Sequence, residues 1–202
     1  MNDISFGASF KKLATVKKLV NGRYEPLETS IVKADYSDLA SISKTARIWK
    51  RPFACQVEQA IELSKFDGDS PVRDVYILTR QKTGVEKLIP EEILGMAYLY
   101  KGFRVNSLEY IQVHPSIEIT NYPIVERMRD SVLGLFKMTK NRTRQYTEVG
   151  TELVKFLQET YNDKCMSLAA ACTSENFYKK LGFKRGLRYF TSHMIWTPKS
   201  SE

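Results

Sequence analysis

Glu109, His114 and Cys172 are side chains whose sequence setting suits proton transfer or nucleophilic attack. Glu109 lies in an apolar run and, by strand alternation, on the same side as Ile111 and Val113. Burial there would raise its pKa toward that of a useful general base; in solvent it is an ordinary strand carboxylate. His114 titrates near neutrality, yet it precedes Pro115 at a strand end, where structural turn residues are common. Cys172 closes an apolar run with no histidine paired to it, so a packed thiol is the plainer reading. A further feature is made of backbone. Gln145-Tyr-Thr-Glu-Val-Gly-Thr151 is a glycine-bearing, hydroxyl-rich turn that opens a helix. Free amides at a helix N-terminus suit a phosphate-bearing ligand.

The elements that must position these groups follow from periodicity. Thr29-Ser-Ile-Val-Lys-Ala34 is a β-branched run, and Asp35 is placed to cap the helix after it. Leu39, Ile42, Ala46 and Trp49 share one face of a helix over 36–49. A second helix begins at Pro52 and carries Val57, Ala60, Ile61 and Leu63. Strands are expected at 72–78, 92–100 and 106–113, with short turns that make them antiparallel neighbours. Tyr98, Tyr100, Tyr110 and Met96 on these strands are accounted for by core packing. Pro123 opens a helix over 123–138 inside a segment, 116–144, that interrupts the rhythm and ends in Lys137, Lys140, Arg142 and Arg144. From Thr147, Val149, Leu153, Phe156, Leu157 and Tyr161 form an apolar helix face. A buried strand over 164–172, a helix over 175–181 closed by Gly182, and a strand over 189–196 complete the order.

Composition bounds the rest. At 202 residues and 43% hydrophobic, the chain has enough apolar material for one well-cored domain. Residues 1–28 read as a basic arm in which Asn21-Gly22 could turn a hairpin, and 29–202 as the domain. The net charge of +8 is compatible with solubility alone, or with a polyanionic ligand. No apolar run approaches a membrane span, and Met1-Asn-Asp-Ile-Ser-Phe lacks the features of a secretory signal. The three cysteines and two histidines fit no metal-ligand spacing, so no metal and a cytoplasmic location are expected.

Three local patterns carry a family resemblance. They are Val113-His-Pro115 at a strand end, Gln145 through Gly150 at a helix start, and Tyr178-Lys-Lys-Leu-Gly-Phe183. With the order of elements over roughly 29–196, the chain resembles the GNAT superfamily of acyl-CoA N-acyltransferases. The resemblance implies an α+β fold whose mixed, mostly antiparallel central sheet has splayed fourth and fifth strands and flanking helices. Backbone groups of Ile111, Gln112 and Val113 would hydrogen-bond the pantetheine arm. Gln145 and the amides of Tyr146, Thr147, Glu148, Val149, Gly150 and Thr151 would hold the pyrophosphate. Tyr178 falls on the position of the family's general acid, though it also reads as a packing tyrosine; Glu109 remains the candidate base. Three departures stand out. Glu148 replaces the loop's middle glycine, the loop begins 32 positions after Val113 (145 minus 113), and Ala171 stands where an asparagine is usual.

The function implied is an acetyl-CoA-dependent N-acetyltransferase acting by direct attack of a primary amine. The acceptor is a small amine, a peptide or protein amine, or an aminoacyl-tRNA. Positive charge favours an anionic macromolecule over a polyamine. A homodimer is compatible with the reading. Two rivals remain open: a binding or regulatory module of the same fold without catalysis, suggested by Glu148 and Ala171, and a basic nucleic-acid binder.

Overall fold

The computed structural model describes residues 9–49, 54–64, 66, 72–82, 87–114, 145–170, 174–186 and 193–198. The helix expected at 123–138, the segment 116–144 around it, Ala171 and Cys172 lie outside the described residues.

β1 (Ser9–Val20) and β2 (Arg23–Ala34) form a long hairpin. Its turn residues, Asn21 and Gly22, have φ values of 50° and 79°, the paired positive values of a type I′ turn. Residues 9–28, expected to belong to a basic arm, are therefore β1 and the first half of β2. β1 buries Ala14 and Val16 while Lys11, Lys12, Thr15 and Lys17 stay exposed. Two small inward residues carry its strand pattern, and the lysines mask it.

Asp35 caps the next turn by accepting from the Ser37 amide at 2.7 Å, and the Asp38 carboxylate accepts from the Asp35 amide at 3.1 Å. α1 (Leu39–Trp49) and α2 (Ala54–Ser64) come next. Ile42 and Trp49 of α1, and Val57, Ala60 and Ile61 of α2, pack on Val32, Val75, Ile77 and Met96 of the sheet. Full burial of such a side chain is worth about 1.5–3 kcal/mol. Leu63, grouped with them by spacing, is exposed.

β3 (Arg73–Thr79), β4 (Ile93–Tyr100) and β5 (Val105–Val113) are antiparallel neighbours, β4 and β5 joined by a short turn and β3 and β4 by the longer stretch 80–92. β6 (Tyr146–Thr147) pairs with β1 and leads into α3 (Val149–Thr160). β7 (Cys165–Ala169), α4 (Glu175–Lys180), β8 (Lys184–Arg185) and β9 (His193–Trp196) complete the described elements. The strand order is β6-β1-β2-β3-β4-β5-β7-β9-β8, and β5–β7 is its parallel pair.

Helices cover both faces of this mixed sheet, which is the α+β architecture expected. On the face opposite α1 and α2, α3 buries Val149, Leu153, Phe156 and Leu157 against Tyr76, Leu78, Leu94 and Ala97. Gly95 permits that approach: a Cβ there would sit 2.8 Å from both Val149 Cγ1 and Leu153 Cδ1. Among the described residues, no helix is long and apolar enough to cross a membrane.

Candidate active site

The sheet opens between β5 and β7. Their parallel register pairs Val105 with Cys165, Asn106 with Met166 and Ser107 with Ser167, and goes no further. Among the described residues, β5 from there to Val113 is paired with β4 alone. The divergence has a local cause. Tyr98 opposes Tyr110 while Leu99 opposes Leu108, so Glu109 is the extra residue of a β-bulge. A bulge bends and twists the strand that carries it.

The phase of the ladder decides which groups face the opening. The His114 amide donates to Leu94 O at 2.8 Å. By antiparallel alternation, Gln112 and Tyr110 also turn their backbone groups to β4, and Ile111 and Val113 turn theirs to the gap. Gln112, expected to offer backbone groups to a ligand, therefore has them committed to β4. Its buried side chain accepts from the Tyr110 hydroxyl.

The loop before α3 is pinned from β1. The Leu19 amide donates to Gln145 O at 2.8 Å, and Lys17 pairs with Thr147. The same alternation points the Thr147 amide at β1, which removes it from the expected donor set. Glu148 has φ 71° and ψ −2°, the left-handed conformation that glycine adopts most readily. The loop therefore follows a glycine-like path despite the substitution. Its carboxylate pairs with Lys17, with Nζ and Oε1 2.8 Å apart, and makes no capping hydrogen bond to α3. The first helical bond runs from the Glu152 amide to Glu148 O. Among the described residues, the amides of Val149, Gly150 and Thr151 have no acceptor, as the first turn of a helix dictates.

This first turn abuts the gap. A Cβ on Gly150 would lie 3.7 Å from Val113 Cγ1 and 3.4 Å from Phe177 Cζ. Phe177 in turn packs edge-on against Tyr178, with centroids 4.9 Å apart. Val113, Gly150 and Tyr178 are thus gathered from β5, α3 and α4. Tyr178 is buried, and desolvation pushes its pKa up to about 12. Its hydroxyl has no hydrogen-bond partner among the described residues.

Glu109 does not join them. The bulge shifts the alternation, so that Leu108 and Ile111 pack in the α3 core while Tyr110 packs in the α1–α2 core. Glu109, between them, is exposed. The burial on which its use as a base depended is absent.

Two groups gain weight instead. His114 follows Val113, and its ring packs edge-on against Trp49 at 5.6 Å on the α1–α2 face. Desolvation, and then the Arg80 charge, lower its pKa from 6.5, so it is neutral at pH 7. Arg80, at the end of β3, donates to the Tyr146 hydroxyl at 3.0 Å and grips Glu92 at 2.8 and 3.0 Å. It ties the loop to the sheet end. No group of three or more metal-ligating side chains is assembled among the described residues.

No family profile and no curated protein matches the chain. Solved structures do. PaiA N-acetyltransferase from Thermoplasma acidophilum, in complex with coenzyme A, superposes with a TM-score of 0.50 at 13% identity. The match covers 84% of this chain and 98% of that one. A Lactobacillus plantarum protein assigned as an N-acetyltransferase gives 0.50 at 10% identity, over 83% of this chain and 97% of that one. The fold is that of the GNAT N-acetyltransferases. At these identities the likeness is one of fold.

Sequence reasoning passed over Lys17, Arg80, Gly95 and Phe177. Gly95 carried a readable signal, because an isolated glycine inside a strand pattern marks close backbone approach. The others act through contacts distant in sequence.

Proposed function

We propose that the protein is an acetyl-CoA-dependent N-acetyltransferase that transfers the acetyl group to a primary amine by direct attack. One observation carries the reading: the amides of Val149–Thr151 and the adjacent edge of β5 are both without partners among the described residues. A diphosphate would sit on those amides, favoured by the helix dipole by about 0.3–1 kcal/mol. The pantetheine arm would take the place of a missing strand, bonded to the backbone of Ile111 and Val113. The Val113 amide would then face the thioester carbonyl and stabilise the oxyanion.

Tyr178 would receive the leaving sulfur. A phenol held near pKa 12 is protonated at neutral pH. Complete transfer to a thiolate of pKa about 8.5 would be uphill by about 5 kcal/mol. Its contribution is therefore a hydrogen bond to the developing thiolate, with solvent completing the protonation. The regulatory-module reading leaned on Glu148, and the turn of that carboxylate toward Lys17 weakens it. A cytoplasmic location fits the use of acetyl-CoA.

Thermal denaturation with and without CoA and acetyl-CoA tests the reading, since a ligand selective for the native state raises the melting temperature. Saturating acetyl-CoA should raise it by several degrees. An unchanged melting temperature would remove the cofactor and the activity with it.

A further inference from the structure

We infer that His114 is the general base of this site and that the acceptor is an α-amine, a primary amine on the carbon next to a carbonyl. The inference rests on the acetyl-CoA reading and concerns the opposite side of the sheet.

Placement is the first argument. The first turn of α3 and Tyr178 lie on one face, and the His114 ring emerges on the other, against Trp49. Its neighbour Val113 turns its amide into the gap. An acceptor reaching the thioester from the α1–α2 face therefore passes His114. Glu109, the rival carboxylate, is exposed on the bulge.

The surroundings select the kind of amine. Among the described residues, the charge that acts on His114 is that of Arg80, which follows β3 and pairs with Glu92 ahead of β4. α1 contributes Trp49, and β5 the Tyr110–Gln112 pair, none of them charged. Arg80 disfavours a polycation. Trp49 is 3% exposed and backs the His114 ring with an apolar wall on this face.

Proton affinity points the same way. An α-ammonium has a pKa near 8 and a lysine ammonium near 10.4, against about 6.5 for imidazole. Deprotonation by an imidazole at that value is thus unfavourable by about 30-fold for the first and about 10⁴-fold for the second. The surroundings of His114 lower its basicity further, which penalises both amines alike, and keep its lone pair free of a proton at neutral pH. The α-ammonium gives one proton to the imidazole, the free amine attacks, and the C–N bond forms. As the C–S bond breaks, the nitrogen loses its second proton and the sulfur gains one. One proton is released overall, and His114 passes it to solvent.

The test uses the full chain, with His114→Gln and His114→Asn, and CoA-induced thermal shift measured for each. Acetyl transfer is assayed to a lysine-free peptide with a free N-terminus, to the same peptide N-blocked and carrying one lysine, and to spermidine. The α-amine peptide should be preferred by about 100-fold or more in kcat/KM. The wild-type rate should fall on an acidic limb at or below pH 6.5. Both variants should lose that limb and about 10²-fold in kcat while keeping their CoA shift. Equal or better turnover of lysine or spermidine overturns the inference, as does an unchanged limb in the variants. A CoA shift without any α-amine product overturns it too, and leaves the cofactor reading standing. Absence of a wild-type CoA shift strikes the cofactor reading first. Should the variants fail to fold, the wild-type limb and the acceptor ranking decide.

Discussion

Lys17 Nζ lies 2.8 Å from Glu148 Oε1, so a side chain of the first hairpin engages the one carboxylate of the turn that opens α3. The two side chains are 50% and 41% exposed, which limits the pair to about 1 kcal/mol or less. Lys17→Ala should free Glu148 to swing over the amides of α3. The CoA dissociation constant should then rise about fivefold at low salt, and by less at high salt. Adding Glu148→Gly should restore it, since the repelling carboxylate is gone. Titration calorimetry on the single and double variants checks this; a weakened double variant would show that Lys17 acts on the cofactor rather than on Glu148.

Gly95 and Gly150 should separate packing from binding. At Gly95 a new Cβ would crowd Val149 and Leu153 at 2.8 Å. Overpacking of this kind costs about 1–3 kcal/mol, so Gly95→Ala should lower the melting temperature by about 5 °C. At Gly150 the nearest contact, 3.4 Å to Phe177, borders on ordinary packing. Gly150→Ala should melt within about 1 °C of the wild type yet bind CoA at least tenfold more weakly, because the added methyl meets the ligand. Equal losses of stability in both variants would contradict this division.

The central strands are legible in the amino-acid sequence. β3, β4 and β5 fall within a residue of the expected spans because their apolar runs are bounded by turn chemistry. α3 is legible from the spacing of Val149, Leu153, Phe156 and Leu157. β1 is hidden because its inward residues are few and its outward ones are lysines. The bulge at Glu109 cannot be read at all. A bulge is defined by the register of the partner strand, and plain alternation puts Glu109 on the wrong footing. Lys17 and Glu148 are 131 positions apart, and only the pairing of β1 with β6 brings them together.

Two buried carboxylates should shape the pH dependence of stability in opposite senses. Asp74 is desolvated, which raises its pKa, but Lys33 at 2.6 Å, the Tyr161 hydroxyl and Lys101 at 3.3 Å outweigh burial and lower it overall. A depressed folded-state pKa stabilises the fold above the unfolded value, near 4, and this contribution is lost as pH falls through the folded one. Asp38 is raised by burial to about 6. Its contribution is complete below pH 4 and disappears as pH rises to about 6, a loss of roughly 3 kcal/mol at most. Asp38→Asn should therefore flatten the stability profile between pH 4 and 6. Asp74→Asn should flatten it below pH 4, at a cost of about 3 kcal/mol at pH 7. Urea denaturation across this range gives both slopes, and coincident profiles for wild type and variants would contradict the assignments.

Tyr178→Phe distinguishes a catalytic hydroxyl from a packing ring. The ring contacts with Phe177 and Phe183, at 4.9 and 5.7 Å, survive the substitution, and the hydroxyl has no partner among the described residues to lose. The variant should therefore melt within about 1 °C of the wild type and bind CoA equally well. If the hydroxyl stabilises the leaving thiolate, kcat should drop at least tenfold with KM for acetyl-CoA unchanged, the pattern of an interaction made only in the transition state. Because the phenol is held near pKa 12, its ionisation should leave no basic limb in the wild-type profile below about pH 10. An acetyl thioester of a more acidic thiol needs less help on leaving, so the gap between wild type and variant should narrow with such a donor. A constant gap across donors would mean that the hydroxyl orders the site without touching the sulfur.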